Sequence, residues 1–432
     1  MKKDNFVSFQ SSASSGGNIG LSTKANNDKP LLIENWLLHQ VLDFLGNPDI
    51  AVTLWTGETI VPSHTSMANR LYIHDRNALY KLARNPSMNF GDLYSEGRIT
   101  IEGDLVQFLI NFNDALDRVE NSAGYFKKSI HHILAKPPRD NSFSSSRVNI
   151  HHHYDIGNDF YKLWLDKEHM QYTCAYYPVS GMTLAQAQTA KLEHICRKLY
   201  LKPGDSVIEA GCGWGGLARY MAKHYGVNIK SYNISHEQIT YARKTAKEQG
   251  LEKQIEYIED DYRNIYGKFD VFVSIGMLEH VGRDNYEKLG EVIYRCLKEN
   301  GRGLIHSIGR NRPAYMNAWI EKHIFPGAYP PSLKEMMDIF EPFNFSVLDI
   351  ENLRLHYAKT LQDWLDRYNS HVNTVENMFD KDFARTWRLY LAGSTAAFVT
   401  GSLQLFQVLF THQNNNNLFM SREHIYKGGL HD

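Results

Sequence analysis

A short apolar run, Val207-Ile208, leads into Glu209-Ala210-Gly211-Cys212-Gly213-Trp214-Gly215-Gly216 and then into a helical pattern from Leu217 to Tyr225. Strand, glycine turn and helix in that order constrain the fold more than any other feature of this chain. Without a Cβ, Gly211 and Gly213 can take backbone angles closed to other residues and let a ligand approach the main chain. The helix that follows offers unpaired N–H groups at its start. A phosphate loop would require Gly-Lys-Ser/Thr at its end, and a dinucleotide fingerprint G-x-G-x-x-G; the run here is G-x-G-x-G-G without a lysine. A purely structural tight turn is the alternative at this point.

The strand–helix alternation continues. Strands are expected at Ser206 to Ala210, Asn228 to Tyr232, Ile255 to Glu259, Phe269 to Ser274 and Gly303 to Ser307. Helices are expected at Leu217 to Tyr225, Glu237 to Gln249 and Tyr286 to Leu297. This pattern specifies an α/β fold with a parallel sheet covered by helices on both faces. Ligands of such sheets sit beyond the carboxyl ends of the strands. Those ends are Gly211 to Gly213, Asn233 to Ser235, Asp260 to Tyr262, Gly276 to His280 and His306 to Gly309.

At 432 residues the chain is long enough for two or three domains. Residues 1–30, rich in Ser, Gly and Asn, read as a disordered tail without the apolar segment of a signal peptide. Residues 31–135 read as a small α+β unit, with a helix at Leu31 to Leu45, a strand at Ile50 to Trp55 and an alternating strand in Gly97 to Asp104. Pro and Ser accumulate in 136–150, a linker. Residues 151–432 hold the sheet, followed from residue 310 by a mostly helical excursion and C-terminal cap. The uncharged run Leu389 to Thr411 approaches the roughly 20 residues of a bilayer span, but Gly393, Ser394, Thr395, Thr400, Gly401, Ser402, Gln404 and Gln407 make it a core or interface helix.

With 47 basic and 48 acidic residues, no global field recruits nucleic acid, and any membrane contact must come from a local patch. Cys174, Cys196, Cys212 and Cys296 show no C-x-x-C spacing, which suits a reducing, cytoplasmic compartment.

No carboxylate follows the second strand, Lys230 to Ser235, where many nucleotide-binding sheets hold the ribose. Gln238 has an amide that could reach a sugar instead, and Asp260, Asp261 and Tyr262 could frame an adenine. Glu279-His280 lies at the cleft floor; a helix-capping carboxylate beside a partly buried histidine is the alternative. His306 reads either as a cleft residue or as a satisfied core histidine. His151, His152 and His153 are adjacent and cannot all face one metal from regular structure, so no metal site is assigned. Cys174 reads as a nucleophile or as a small buried hydrophobe.

Taken together, these blocks resemble the cyclopropane fatty acid synthases, S-adenosylmethionine-dependent enzymes that modify the acyl chains of intact phospholipids. The resemblance rests on HYDIGNDFYKLWLD at 153–166, MQYTCAYY at 170–177, the segment running through VIEAGCGWGGLARYMA to 222, DDYRNI at 260–265, SIGMLEHVG at 274–282, LIHSIG at 304–309 and IFPG at 324–327. The glycine run is of the form typical of S-adenosylmethionine methyltransferases. FGDLYSEGRITIEGDL at 90–105 looks like the family's small lipid-binding domain. The resemblance implies a Rossmann-like class I methyltransferase sheet with helical insertions. It also implies methylene transfer to a cis double bond, with a bound bicarbonate as the base that deprotonates the transferred methyl.

By the same resemblance, Cys174, Glu279, His306, the backbone amide of Ile308 and Tyr357 hold bicarbonate. Tyr172, Thr173, Gly211, Cys212, Gly213, Trp214, Asn233, Gln238, Asp261 and Tyr262 face the cofactor. The partners expected are an unsaturated phospholipid in a bilayer, the inner membrane surface bound peripherally, and a second copy in a homodimer. Two positions depart from the family: Ser394 stands where some members have a cysteine, and Leu278 where phenylalanine is common and acyl-chain fit could be tuned. The competing functions are lipid C-methylation without ring closure, small-molecule N-methylation, and lipid binding without catalysis.

Overall fold

The computed structural model describes residues 32–44, 46–61, 69–122 and 156–426. The expected tail, the linker at 136–150 and the three histidines fall outside the described residues.

The first described unit contains α1 (Leu32–Phe44), β1 (Ala51–Thr53), β2 (Thr59–Ile60), β3 (Arg70–Ile73), α2 (Arg76–Arg84), α3 (Pro86–Ser95), β4 (Ile99–Glu102) and α4 (Leu105–Ser122). Its sheet runs β2-β1-β3-β4. Local chemistry punctuates it well. Asp75 caps α2 by accepting from the Ala78 N–H, and Pro86 opens α3, where its missing N–H costs nothing. Arg98 pairs with the same Asp75 at 2.6 Å, which joins β4 to the start of α2.

The larger unit begins with α5 (Asn158–Trp164) and α6 (Leu184–Lys198). It continues through β5 (Ser206–Ala210), α7 (Gly216–Tyr225), β6 (Asn228–Asn233), α8 (His236–Glu248), β7 (Ile255–Glu259), β8 (Phe269–Ile275), α9 (Leu278–Val281), α10 (Tyr286–Cys296) and β9 (Leu297–Gly309). Then come α11 (Ala318–His323), α12 (Leu333–Met336), β10 (Phe345–Asn352), α13 (Arg354–Ser370), α14 (Val372–Met378), α15 (Lys381–Thr400), β11 (Gln404–His412) and α16 (Glu423–Tyr426). Seven strands form one sheet in the order β10-β11-β9-β8-β5-β6-β7. Strands β5 to β9 pair in parallel, whereas β11 joins β9 and β10 antiparallel. The chain leaves β5 toward β6 and β7, then returns to β8 on the other side. This reversal opens a crevice at the carboxyl ends of β5 and β8.

The strands expected in the parallel core are all present within two residues, except β9, which starts earlier. The C-terminal third differs. Residues from 310 on contribute two strands to the sheet, and the uncharged run is not one helix: α15 ends at Thr400, Gly401 turns at φ +83°, and β11 follows. Strand β11 is buried along nearly its whole length, between β9 and β10. A strand covered on both faces reads as an unbroken apolar run, which periodicity cannot tell from a buried helix.

The first unit packs on the helices of this C-terminal third. Asp92 meets His323 at 2.8 Å, and Thr386 Oγ1 donates to Ser95 Oγ at 2.7 Å. Gly91 lies directly under the Trp319 indole, where a Cβ would fall 2.4 Å from ring atoms. Gly91→Val should therefore lower stability by about 1–3 kcal/mol through overpacking. Gly393→Ala, in α15 with nothing within 4 Å of the added Cβ, should raise it by about 0.5–1 kcal/mol. Denaturant midpoints of the two variants, shifted in opposite directions, check this account of the contact.

Candidate functional site

The glycine turn after β5 has the geometry expected of it. Gly211 and Gly213 take φ of +84° and +51°. A Cβ on Gly213 would project into open space, whereas one on Gly211 would strike Met277 at 2.9 Å. The Gly211 and Cys212 N–H groups both donate to Tyr232 O, at 2.9 and 3.2 Å, which fixes the turn against the end of β6. Cys212 is buried, and burial pushes its thiol far above the usual range. Trp214 donates to Asn158 Oδ1 at 2.7 Å.

Beyond β6, Asn233 Nδ2 donates to Gln238 Oε1 at 2.7 Å and to Gly213 O at 3.3 Å. Asn233 and Gln238 are thus brought to the glycine turn. Asp261 caps Arg263 N and pairs with its guanidinium at 3.1 Å. The adjacent Tyr262 is buried, its hydroxyl has no partner among the described residues, and burial pushes it up to about 12.

A second strip of chain, 166–177, lies across the carboxyl edge. Thr173 Cγ2 sits where a Cβ of Gly276 would come within 2.8 Å, so Thr173 stands at the end of β8. Tyr172 shares a hydroxyl–hydroxyl bond of 2.8 Å with Tyr390 of α15. Its ring packs against Trp164 and Trp364 at 5.2 and 5.4 Å, and Tyr161 contacts both Tyr172 and Trp214. This aromatic cluster excludes water from one side of the cleft.

The chemistry-bearing end lies between β8 and β9. Glu279 Oε1 accepts from Ile308 N at 2.7 Å, while Oε2 is buried without a partner among the described residues. Burial raises this carboxyl to about 7, even though the Ile308 N–H stabilises its charged form. His306 lies two residues before Ile308, fully buried and driven toward the neutral imidazole. Gln407 Nε2 lies 3.1 Å from His306 Nδ1, and His306 Nε2 has no partner among the described residues. Glu279 Oε2 and His306 Nε2 are therefore both buried polar atoms without a partner among the described residues.

Cys174 and Tyr357 join through the backbone. Ile308 is opposite Leu405 in the β9–β11 register, Leu405 O accepts from Leu353 N at 2.9 Å, and Leu353 O accepts from Tyr357 N at 3.1 Å. The Cys174 thiol faces the same Leu353 carbonyl at 3.9 Å. Burial pushes this thiol far up, which favours the inert small hydrophobe over a nucleophile. Leu278 packs with Val281, Tyr286 and Met336, in a different core cluster from Cys174 and Tyr357. Among the described residues no cluster of three metal-ligating side chains occurs, and no helix is long and apolar enough to cross a membrane.

Comparison with known proteins bears on this geometry. The family model described as mycolic acid cyclopropane synthetase matches residues 141–408. The chain belongs to that family. Its members are S-adenosylmethionine-dependent methyltransferases, and the mainly parallel seven-stranded sheet described above is of the class I methyltransferase fold. A probable fatty acid methyltransferase of Pseudomonas putida is 34% identical, with 79% of this chain matching 88% of that protein. The cyclopropane-fatty-acyl-phospholipid synthase of Escherichia coli K12 is 39% identical over 62% of this chain and 69% of its own length. Among solved structures, the mycolic acid cyclopropane synthase CmaA1 complexed with SAH and CTAB superposes with a TM-score of 0.58 at 27% identity, covering 61% of this chain and 97% of that one. A domain of unknown function matches residues 37–120.

Reasoning from sequence missed Gln407, Tyr390 and Lys191. Gln407 lies in the uncharged run that reads as a helix, and burial of β11 on both faces leaves no alternation to mark it. Lys191 carried a visible signal, a charged residue at the buried spacing of Ala187 and Ile195.

The raised carboxyl has a measurable consequence. Below pH 4.5 Glu279 is neutral folded and unfolded; between 4.5 and about 7 only the unfolded chain ionises, and stability falls. At about 1.4 kcal/mol per unit the loss approaches ~3 kcal/mol. Glu279→Gln removes this titration. Its thermal midpoint should gain about 3 °C relative to the unaltered protein between about pH 5 and about pH 8, read by calorimetry.

Proposed function

We propose that the chain is a cyclopropane-fatty-acyl-phospholipid synthase. In this reading it transfers a methylene from S-adenosylmethionine to the cis double bond of an unsaturated phospholipid acyl chain. The observation that carries the reading is Glu279 at the end of β8, its Oε1 held by the Ile308 amide and its Oε2 buried without a partner among the described residues, with buried His306 two residues before Ile308 on β9. The left-handed glycine turn, with open space at Gly213, suits the cofactor, which supplies an electrophilic methyl as a sulfonium. Tyr172, Thr173, Gly211, Cys212, Gly213, Trp214, Asn233, Gln238, Asp261 and Tyr262 would hold it.

An alkene is a poor nucleophile, and its attack leaves positive charge on the acyl chain. The rings of Tyr161, Trp164, Tyr172, Trp214 and Trp364 exclude water and present faces that tolerate a cation. A proton must then leave the transferred methyl before the ring closes, which demands a base. Bicarbonate, with both donor and acceptor oxygens, matches the chemistry of the pair, and Cys174, Glu279, His306, Ile308 and Tyr357 would hold it to supply that base.

Residues 31–135 are assigned as a lipid-binding unit and 151–432 as the catalytic domain, joined by the 136–150 linker. The protein would work as a homodimer at the inner membrane surface, reached from the cytoplasm. A second reading, methyl transfer without ring closure, is favoured by the relative named as a fatty acid methyltransferase.

Purified protein, S-adenosylmethionine and liposomes of a cis-monounsaturated phospholipid should yield acyl chains with high-field cyclopropane protons by NMR. Vinylidene or branched-methyl signals would favour the second reading. Glu279→Gln and Tyr357→Phe should each lower turnover by at least about tenfold, a conservative share of what a positioned base contributes. Both should leave cofactor affinity largely intact by calorimetry. Loss of cofactor binding in both would contradict the roles assigned.

A further inference from the structure

Lys191 lies in the middle of α6 with none of its surface exposed. Taking an ammonium out of water costs several kcal/mol unless it is well paired. Its partners are sparse: Nζ donates to Thr173 Oγ1 at 2.9 Å and to the amide oxygen of Gln171, and neither carries charge. An ammonium has three N–H donors, and the third has no acceptor among the described residues. Burial pushes the ammonium down to about 8, and attraction from Asp166 and Glu209 offsets this only in part. Each is hydrogen-bonded elsewhere. Asp166 accepts from the His169 and Gln171 N–H groups at 2.7 and 2.8 Å, and Glu209 accepts from Ser231 Oγ at 2.6 Å.

The two acceptors that Lys191 does have belong to the cleft. Gln171 and Thr173 flank Tyr172. Gln171 Nε2 and His169 O lie 2.5 and 2.3 Å from where a Cβ on Gly216 would sit, at the start of α7. Thr173 closes on Gly276 at the end of β8. Gln188, one turn before Lys191, donates to Thr173 O at 2.9 Å and holds the same residue from its carbonyl side. The ammonium therefore backs the strip of chain wedged between the glycine turn and β8. Because Thr173 Oγ1 accepts from Lys191, its own O–H remains to donate, polarised by the charge behind it.

We propose that Lys191 is a positioning residue for the cofactor. Acting through Thr173 and Gln171, its charge draws the carboxylate of the methionyl end toward α6 and turns the sulfonium away from it, which sets the direction of the transferable methyl. This rests on S-adenosylmethionine being the cofactor. Attraction of the anion and repulsion of the cation orient the ligand in the same sense.

The test compares two ligands by calorimetry: S-adenosylhomocysteine, and methylthioadenosine, which keeps the adenosine and thioether but lacks the amino-acid end. Lys191→Met should weaken S-adenosylhomocysteine by at least about tenfold, or ~1.4 kcal/mol, and leave methylthioadenosine within about twofold. Thr173→Val should shift the two ligands in the same pattern, and it carries the comparison if Lys191→Met does not fold. Equal weakening of both ligands would reduce Lys191 to a support of the fold and overturn the proposal. So would no change in either. If the unaltered protein binds neither compound, the cofactor assignment itself falls, and the proposal with it.

Discussion

The bond from the Ile308 amide to the Glu279 carboxylate, 2.7 Å long, is the contact around which the cleft is assembled. It closes the turn after β8 onto the end of β9 and keeps a carboxyl that is only 6% exposed in a fixed place. Burial alone would expel the charge, and the hydrogen bonds around it compensate only in part. From Ile308 the connection passes to Leu405 on β11, to Leu353 before α13, and so to Cys174 and Tyr357. Segments separated by more than a hundred residues therefore meet only because β11 inserts between β9 and β10. Without that antiparallel strand the parallel core would be intact, and the floor of the cleft would be missing.

Electrostatics and packing divide the cleft. One side is a wall of rings from α5, Tyr172, α13 and α15 that pack on one another. The other is polar and deeply buried, with Lys191, Asp166, Glu209, Glu279 and His306 all under 9% exposed. Such an arrangement suits chemistry in which a cationic donor meets an apolar acceptor and one proton must depart. Helix α15 links the parts. Its Tyr390 bonds Tyr172 at the cleft, and its Thr386 bonds Ser95 of the first unit.

Most of the parallel sheet was legible because each strand was short, apolar and followed by a helix with a recognisable start. The glycine turn and the residues after each strand were legible for the same reason, since the fold places ligands at strand ends. The C-terminal strands were not. Burial on both faces erased the alternation in β11, and Gly401 alone marked the break from α15. The roles of Cys174 and Tyr357 had no local signal at all and came from resemblance, because their meeting depends on the register of β11 with β9. Lys191 shows the opposite case: its position on a buried helix face was readable, but the unsatisfied ammonium became visible only with its neighbours in place.

The central claim is that a proton leaves the transferred methyl at the Glu279–His306 floor. Mass spectrometry of the lipid made with S-adenosylmethionine carrying a trideuterated methyl tests it most directly. The account requires acyl chains that retain two deuterons per transferred carbon, borne on a ring methylene. Products that keep all three deuterons would show transfer without deprotonation, and would contradict the account.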